Sequence, residues 1–140
     1  MQLPNKLLRD YKRLLRLLNS GAVFTAVDTE TTGLSPETCR IIEIGAVRFD
    51  KSGLLSTFNT LVNPGCPIPG SSTYINHITD EMVASAPVIK SVLPDFISFV
   101  GNSILIAHNA PFDLLFINRE LERSRMPSME NKAIDTLNLS

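Results

Sequence analysis

Two short stretches of this chain concentrate residues that can do chemistry: Asp28 and Glu30 in "VDTETTGLS" (27–35), and Asp113 at the end of "AHNAPFD" (107–113). Asp28 and Glu30 stand two apart at the end of the apolar run "AVFTAV". In a strand, side chains at i and i+2 point to the same face. Two carboxylates held side by side in a half-buried place repel each other and lose solvation, a cost that a cation offsets. Asp113 falls in the first turn of an expected helix, where the positive end of the helix dipole favours an anion. Singly, each has an ordinary structural reading, a helix-stabilising Asp and a solvated strand end. Together, a strand-end Asp-x-Glu and a helix-start Asp that follows another buried strand can converge at one sheet edge. Three carboxylates without a nearby basic residue ask for cations. Mg²⁺ and Mn²⁺ prefer oxygen ligands, and two such ions about 3.5–4 Å apart can bridge a phosphodiester, activating water on one side and steadying the leaving oxygen on the other.

The elements that must position these acids follow from periodicity. Residues 5–19 repeat Leu7, Leu8, Tyr11, Leu14, Leu15 and Leu18 at helical spacing, which predicts one amphipathic helix stopped at Gly21. Strands are expected over 22–28, 40–50 and 54–63, with "KSG" closing a hairpin between the last two. The stretch 66–72 reads as a Pro/Gly loop and 76–87 as a short helical turn with a further loop. A helix is expected over 87–100, kinked or split by Pro94, then a buried strand over 103–108 and a helix over 109–125 with Asn109 as its cap and Pro111 in its first turn. The order β-β-β-α-β-α indicates an α/β domain with a mixed sheet flanked by helices.

Composition narrows the classes. The 140 residues, 44% hydrophobic, suffice for one core, and 13 basic against 14 acidic residues announce no polyanion by charge alone. The charge is uneven: residues 1–20 hold five basic residues against Asp10, the remainder eight basic against 13 acidic. Residues 1–20 therefore read as a basic amphipathic helix separate from a catalytic domain over 21–140. Cys39 and Cys66 have no metal-type spacing and are expected as free thiols in a reducing compartment. No run approaches 18 apolar residues and the N-terminus lacks a secretory cleavage pattern, so a soluble, cytoplasmic protein without a membrane partner is expected.

The segments "DTETTGL", "IIEIGAV" and "AHNAPFD", with "DTL" near the end, resemble in that order the DEDD exonuclease superfamily, and within it the proofreading domains of bacterial replicative polymerases. The resemblance runs from about residue 22 onward. It implies a ribonuclease H-like fold and removal of nucleotides from single-stranded DNA 3′ ends with two Mg²⁺ or Mn²⁺ ions, alongside polymerase subunits as partners; RNA exonucleases share the motifs. By motif, Asp28, Glu30 and Asp113 would be the metal ligands and catalytic acids, with Asp28 bridging both ions. Thr31, Leu34 and Phe112 would meet the terminal nucleotide. In "YINHITDEM" Asn76 occupies a polar position that approaches substrate, and His77 stands where the family usually has Gly, which leaves its loop geometry open.

Glu43 also recurs in the family, but its spacing places it in a strand away from the other acids, a structural role. His108 is expected to hydrogen-bond within the scaffold. The resemblance further implies a third motif, a His or Tyr followed five residues later by a metal-binding Asp, downstream of "DTL". Residues up to Ser140 do not contain it, and Asp135 is not that acid. The implied domain is thus C-terminally incomplete over these residues, with weak cleavage expected, or alternatively a nucleic-acid- or polymerase-binding module.

Overall fold

The computed structural model describes residues 3–137 and 139–140; Met1, Gln2 and Asn138 lie outside it. Its centre is a six-stranded mixed sheet. Three long strands follow the predicted alternation: β2 (Phe24–Thr31), β3 (Ile41–Asp50) and β4 (Gly53–Leu61), joined as an antiparallel meander. The β3–β4 hairpin closes as expected, with Asp50 paired to Gly53 and Asp50 Oδ1 accepting from the Ser52 amide at 2.8 Å. β5 (Ile104–Ala107) runs parallel to β2.

Two short strands escape the periodicity. β1 (Leu7–Leu8) and β6 (Ala133–Asp135) pair in parallel and complete the order β1-β6-β5-β2-β3-β4. The segment expected as one helix over 5–19 is therefore a strand followed by α1 (Tyr11–Asn19), which starts where Asp10 caps the Lys12 amide at 2.9 Å. Helical spacing of Leu7 and Leu8 is overridden by backbone pairing with β6, a tertiary effect invisible to local pattern.

Helices α4 (Ile89–Val100) and α5 (Ala110–Arg123) cover one face of the sheet, burying Leu93, Phe96, Phe116, Ile117 and Leu121 against Val27, Ile44 and Leu105. Pro94 does not split α4. It lies on the exposed side, as does Lys90, whose carbonyl loses its amide partner to the proline and can turn to water. On the other face α1 lays Leu14, Leu17 and Leu18 over Phe24, Leu8 and Ile134, where Phe24 stacks on Phe49 at 5.5 Å. The expected loop at 66–72 is partly helical: α2 (Gly70–Asn76) is followed by α3 (Asp80–Val83), and Ile68, Ile78 and Val83 pack on Ile42. Cys39 is half-buried, Cys66 exposed, and both are free thiols. Among the described residues no helix is long and apolar enough to cross a membrane.

Candidate active site

β2 continues through Glu30, so Asp28 and Glu30 share a face, the one that begins at Phe24. α1 covers the Phe24 half and the acids occupy the other half. Antiparallel register sets Glu43 directly opposite Glu30 and Gly45 opposite Asp28. Glu43 is in a strand as expected, but it belongs with the other acids rather than apart from them. Like charges directly opposite destabilise a sheet, and no ion pair among the described residues reaches Asp28, Glu30 or Glu43. Burial, then the charges of Asp28 and Glu43, hold the Glu30 carboxyl above its ordinary range. Gly45 leaves the space beside Asp28 open: a Cβ there would meet nothing nearer than the Asp28 carbonyl at 3.8 Å.

Asp113 comes to this strand end from α5. It is buried, and its Oδ1 accepts from both the Thr29 amide, at 3.0 Å, and the Thr29 hydroxyl, at 2.5 Å. Burial pushes its carboxyl up to about 6 and the Asp28 charge adds to the rise, while the two Thr29 bonds oppose it. Asp113 is thus fastened to the residue between Asp28 and Glu30. Among the described residues, no three His, Cys, Asp or Glu side chains are gathered closely enough to hold an ion as they stand. The donor chemistry nevertheless suits a hard cation: oxygen ligands, excess negative charge, and carboxyl pKa values raised at Glu30 and Asp113.

Asn109, expected to cap α5, does not. Its backbone is left-handed (φ 67°, ψ 57°) and its side chain makes no cap bond. Asp135, at the end of β6, takes over: its Oδ1 accepts from the Asn109 and Ala110 amides, each at 3.1 Å. A cap contributed by a strand 25 residues away leaves no local signal beyond an Asp that ends an apolar tripeptide.

Beside the acids opens a cavity of about 410 Å³. Glu30, Thr31, Leu34, Asn76 and Phe112 line it, so four of the five residues singled out for substrate meet in one place. Leu34 is 85% exposed at its mouth. α2 forms the opposite wall, tied down by Ser72, whose hydroxyl donates to the Thr31 carbonyl at 2.8 Å, and by Asn76, whose amide nitrogen donates to the same carbonyl at 3.3 Å. The Asn76 side-chain oxygen accepts from the Ile78 amide at 3.0 Å, so its polar groups are engaged in shaping the wall. His77 does not line the cavity; it is the exposed left-handed residue (φ 63°) that ends α2, which accounts for the permissive residue expected there. His108 Nδ1 lies 3.1 Å from the Thr136 hydroxyl, a scaffold contact.

A family model described as "Exonuclease" (RNase_T) matches residues 25–140. The chain belongs to this exonuclease family. Within it, the chain is 47% identical over 119 residues to DNA polymerase III subunit epsilon of Treponema pallidum, covering 85% of this chain and 55% of the relative. It is 44% identical over 117 residues to the PolC-type DNA polymerase III of Caldanaerobacter subterraneus, covering 84% of this chain and 8% of that one. The exonuclease chain thus spans about half of the epsilon subunit and under a tenth of PolC. Among solved structures, exonuclease X in complex with 5′ overhanging duplex DNA superimposes with TM-score 0.61 at 32% identity, over 80% of this chain and 58% of that one. Apo exonuclease I superimposes with TM-score 0.74 at 17% identity, over 82% of this chain and 29% of that one. The expected ribonuclease H-like architecture of this exonuclease family is borne out.

Proposed function

We propose that this exonuclease-family chain hydrolyses phosphodiester bonds one nucleotide at a time from DNA 3′ ends, with Mg²⁺ or Mn²⁺, in replication proofreading or repair. The observation that carries the reading is the fastening of Asp113 to Thr29, between Asp28 and Glu30, next to a cavity that Thr29, Glu30 and Phe112 help to line. Asp28, Glu30 and Asp113 would hold the ions, which when bound supply water activation and charge neutralisation at the leaving oxygen. Thr29 keeps Asp113 Oδ1 engaged, so the other oxygen is the one that would be left to hold a cation. Leu34 and Phe112 offer apolar surface to a terminal base, and Thr31 and Asn76 shape the cavity that would receive its sugar; His77 would reach only the strand beyond the end. The names of the relatives support DNA as substrate and polymerase subunits as partners, and a cytoplasmic setting goes with that reading.

A second reading, a nucleic-acid- or polymerase-binding module with weak catalysis, draws on the absence of a ready-made three-ligand cluster among the described residues. RNA ends are the alternative substrate. Incubation with labelled single-stranded DNA or RNA and Mn²⁺ separates these readings. Stepwise shortening of DNA from the 3′ end, abolished by Asp28→Ala, supports the proposal. DNA binding without shortening favours the module, and preferential shortening of RNA changes the substrate.

A further inference from the structure

We propose that Arg9 and Asp135 form a positioning pair through which the segment before residue 25 sets the start of α5 and hence the place of Asp113. The proposal rests on the reading of Asp113 as a metal ligand, and its site lies partly outside the family match, which begins at residue 25.

The first amides of a helix have no intrahelical acceptor. In α5 they find none in Asn109, and Asp135 Oδ1 serves instead, accepting from Asn109, Ala110 and Leu137 at 3.1 Å each. Its other oxygen, Oδ2, accepts from Arg9 Nε at 3.1 Å and Nη2 at 2.9 Å. The carboxylate is 2% exposed, with three amides on one oxygen and a guanidinium on the other. Arg9 arrives there because β1 pairs Leu7 with Ala133 and Leu8 with Ile134, and one further step of that register faces Asp135. Backbone amides on one oxygen and a guanidinium on the other restrict the orientation of the buried carboxylate. Without Arg9, Oδ2 is unpartnered in a buried place and the carboxylate can rotate away from the amides.

Asp113 is three residues beyond Ala110, about 4.5 Å along the helix. A displacement at the Ala110 amide therefore reaches Asp113 undamped by any loop. Asp113 must keep its Oδ1 on both Thr29 donors to present its other oxygen, a tolerance of a few tenths of an ångström. Arg9 and Asp135 touch neither substrate nor metal in this account; they act through the helix.

The test uses the whole chain and four variants: Arg9→Ala, Arg9→Lys, Asp135→Asn, and Leu17→Ala as a control that loosens α1 without touching the pair. Amide exchange is read at Asn109 and Ala110 without metal, and kcat and KM on a single-stranded oligonucleotide with Mn²⁺. Arg9→Ala should speed exchange at these two amides beyond any effect of Leu17→Ala at matched Tm, and lower kcat about ten- to a hundredfold with KM little changed. Arg9→Lys should recover part of both. Asp135→Asn should resemble Arg9→Ala, and the double variant should be no worse than either, the mark of one shared interaction. Exchange at Ala110 that follows Tm equally in Arg9→Ala and Leu17→Ala, or an unchanged kcat in Arg9→Ala, would overturn the proposal. A chain that never cleaves, with or without Asp28, sinks the functional reading alone, because the exchange measurement still decides the pair.

Discussion

Thr29 donates both its amide and its hydroxyl to a single oxygen of Asp113, so one residue between two acids holds the third. Replacing Thr29 by Val keeps the shape and the amide bond but removes the hydroxyl. The buried carboxylate then lacks one donor, and Thr29→Val should destabilise the fold by about 1–3 kcal/mol near neutral pH. The Asp113 carboxyl, already at about 6, should rise further. The acid limb of the pH–rate profile should move to higher pH, and urea melts should report the stability loss.

The same carboxyl predicts a pH-dependent stability. Its folded value, about 6, lies above the ordinary 3.8, so the charged form is disfavoured by folding. The associated stability is fully present below about pH 3.8 and is lost as pH rises through 6. Asp113→Asn removes this loss. Relative to the unsubstituted chain, it should be near neutral at pH 4 and more stable by about 2–3 kcal/mol at pH 8. Denaturant titrations at the two values check it, and a constant difference across pH would contradict it. On the proposed function, in which Asp113 would hold a metal ion, activity should be lost in the same variant.

Glu43 faces Glu30 across the β2–β3 ladder, and among the described residues no basic side chain pairs with either. Glu43→Gln should therefore stabilise the metal-free chain by about 0.2–1 kcal/mol. It should also bring the raised Glu30 carboxyl down, since Glu43 is one of the charges that raise it. Melting temperatures at low and high salt give the check: the gain should shrink as salt screens the repulsion.

The shared face of Asp28 and Glu30 was legible because strand parity needs only local counting, and the hairpin at Lys51–Gly53 was legible from its short polar break. Glu43 escaped that logic because the β2–β3 register is set by a connection too long to count across. β1 and β6 are two and three residues long and carry no period. α2, "GSSTYIN", buries only Ser72 and exists through bonds to the Thr31 carbonyl, so its apolar pattern says nothing of a helix. Asn109 looked like a cap by type and position, yet its left-handed backbone hands that task to Asp135.

His77 ends α2 in a conformation that side chains with a Cβ adopt at a cost of roughly 1–2 kcal/mol. His77→Gly relieves that strain and gives back part of it to the unfolded chain, so a net gain of about 0.5–1 kcal/mol is expected. Thermal melts measure it. A rise in KM for oligonucleotides in the same variant would show that the imidazole meets the substrate strand, whereas an unchanged KM would leave it a helix terminator.

The β1–β6 pairing joins residues more than 120 positions apart, with β6 between β1 and β5 in the sheet. Contacts of such sequence separation must overcome a large loop-closure entropy before they reward the chain, and they form late. During vectorial synthesis Arg9 is made long before Asp135, and the meander β2–β3–β4 can fold while α5 has no acceptor for its first amides. On the proposed Arg9–Asp135 pairing, the acids on β2 are in place before the strand bearing Asp135 fixes the start of α5. A nascent chain stalled before residue 133 would therefore carry Asp28, Glu30 and Asp113 without the Asp135 carboxylate that accepts the first amides of α5.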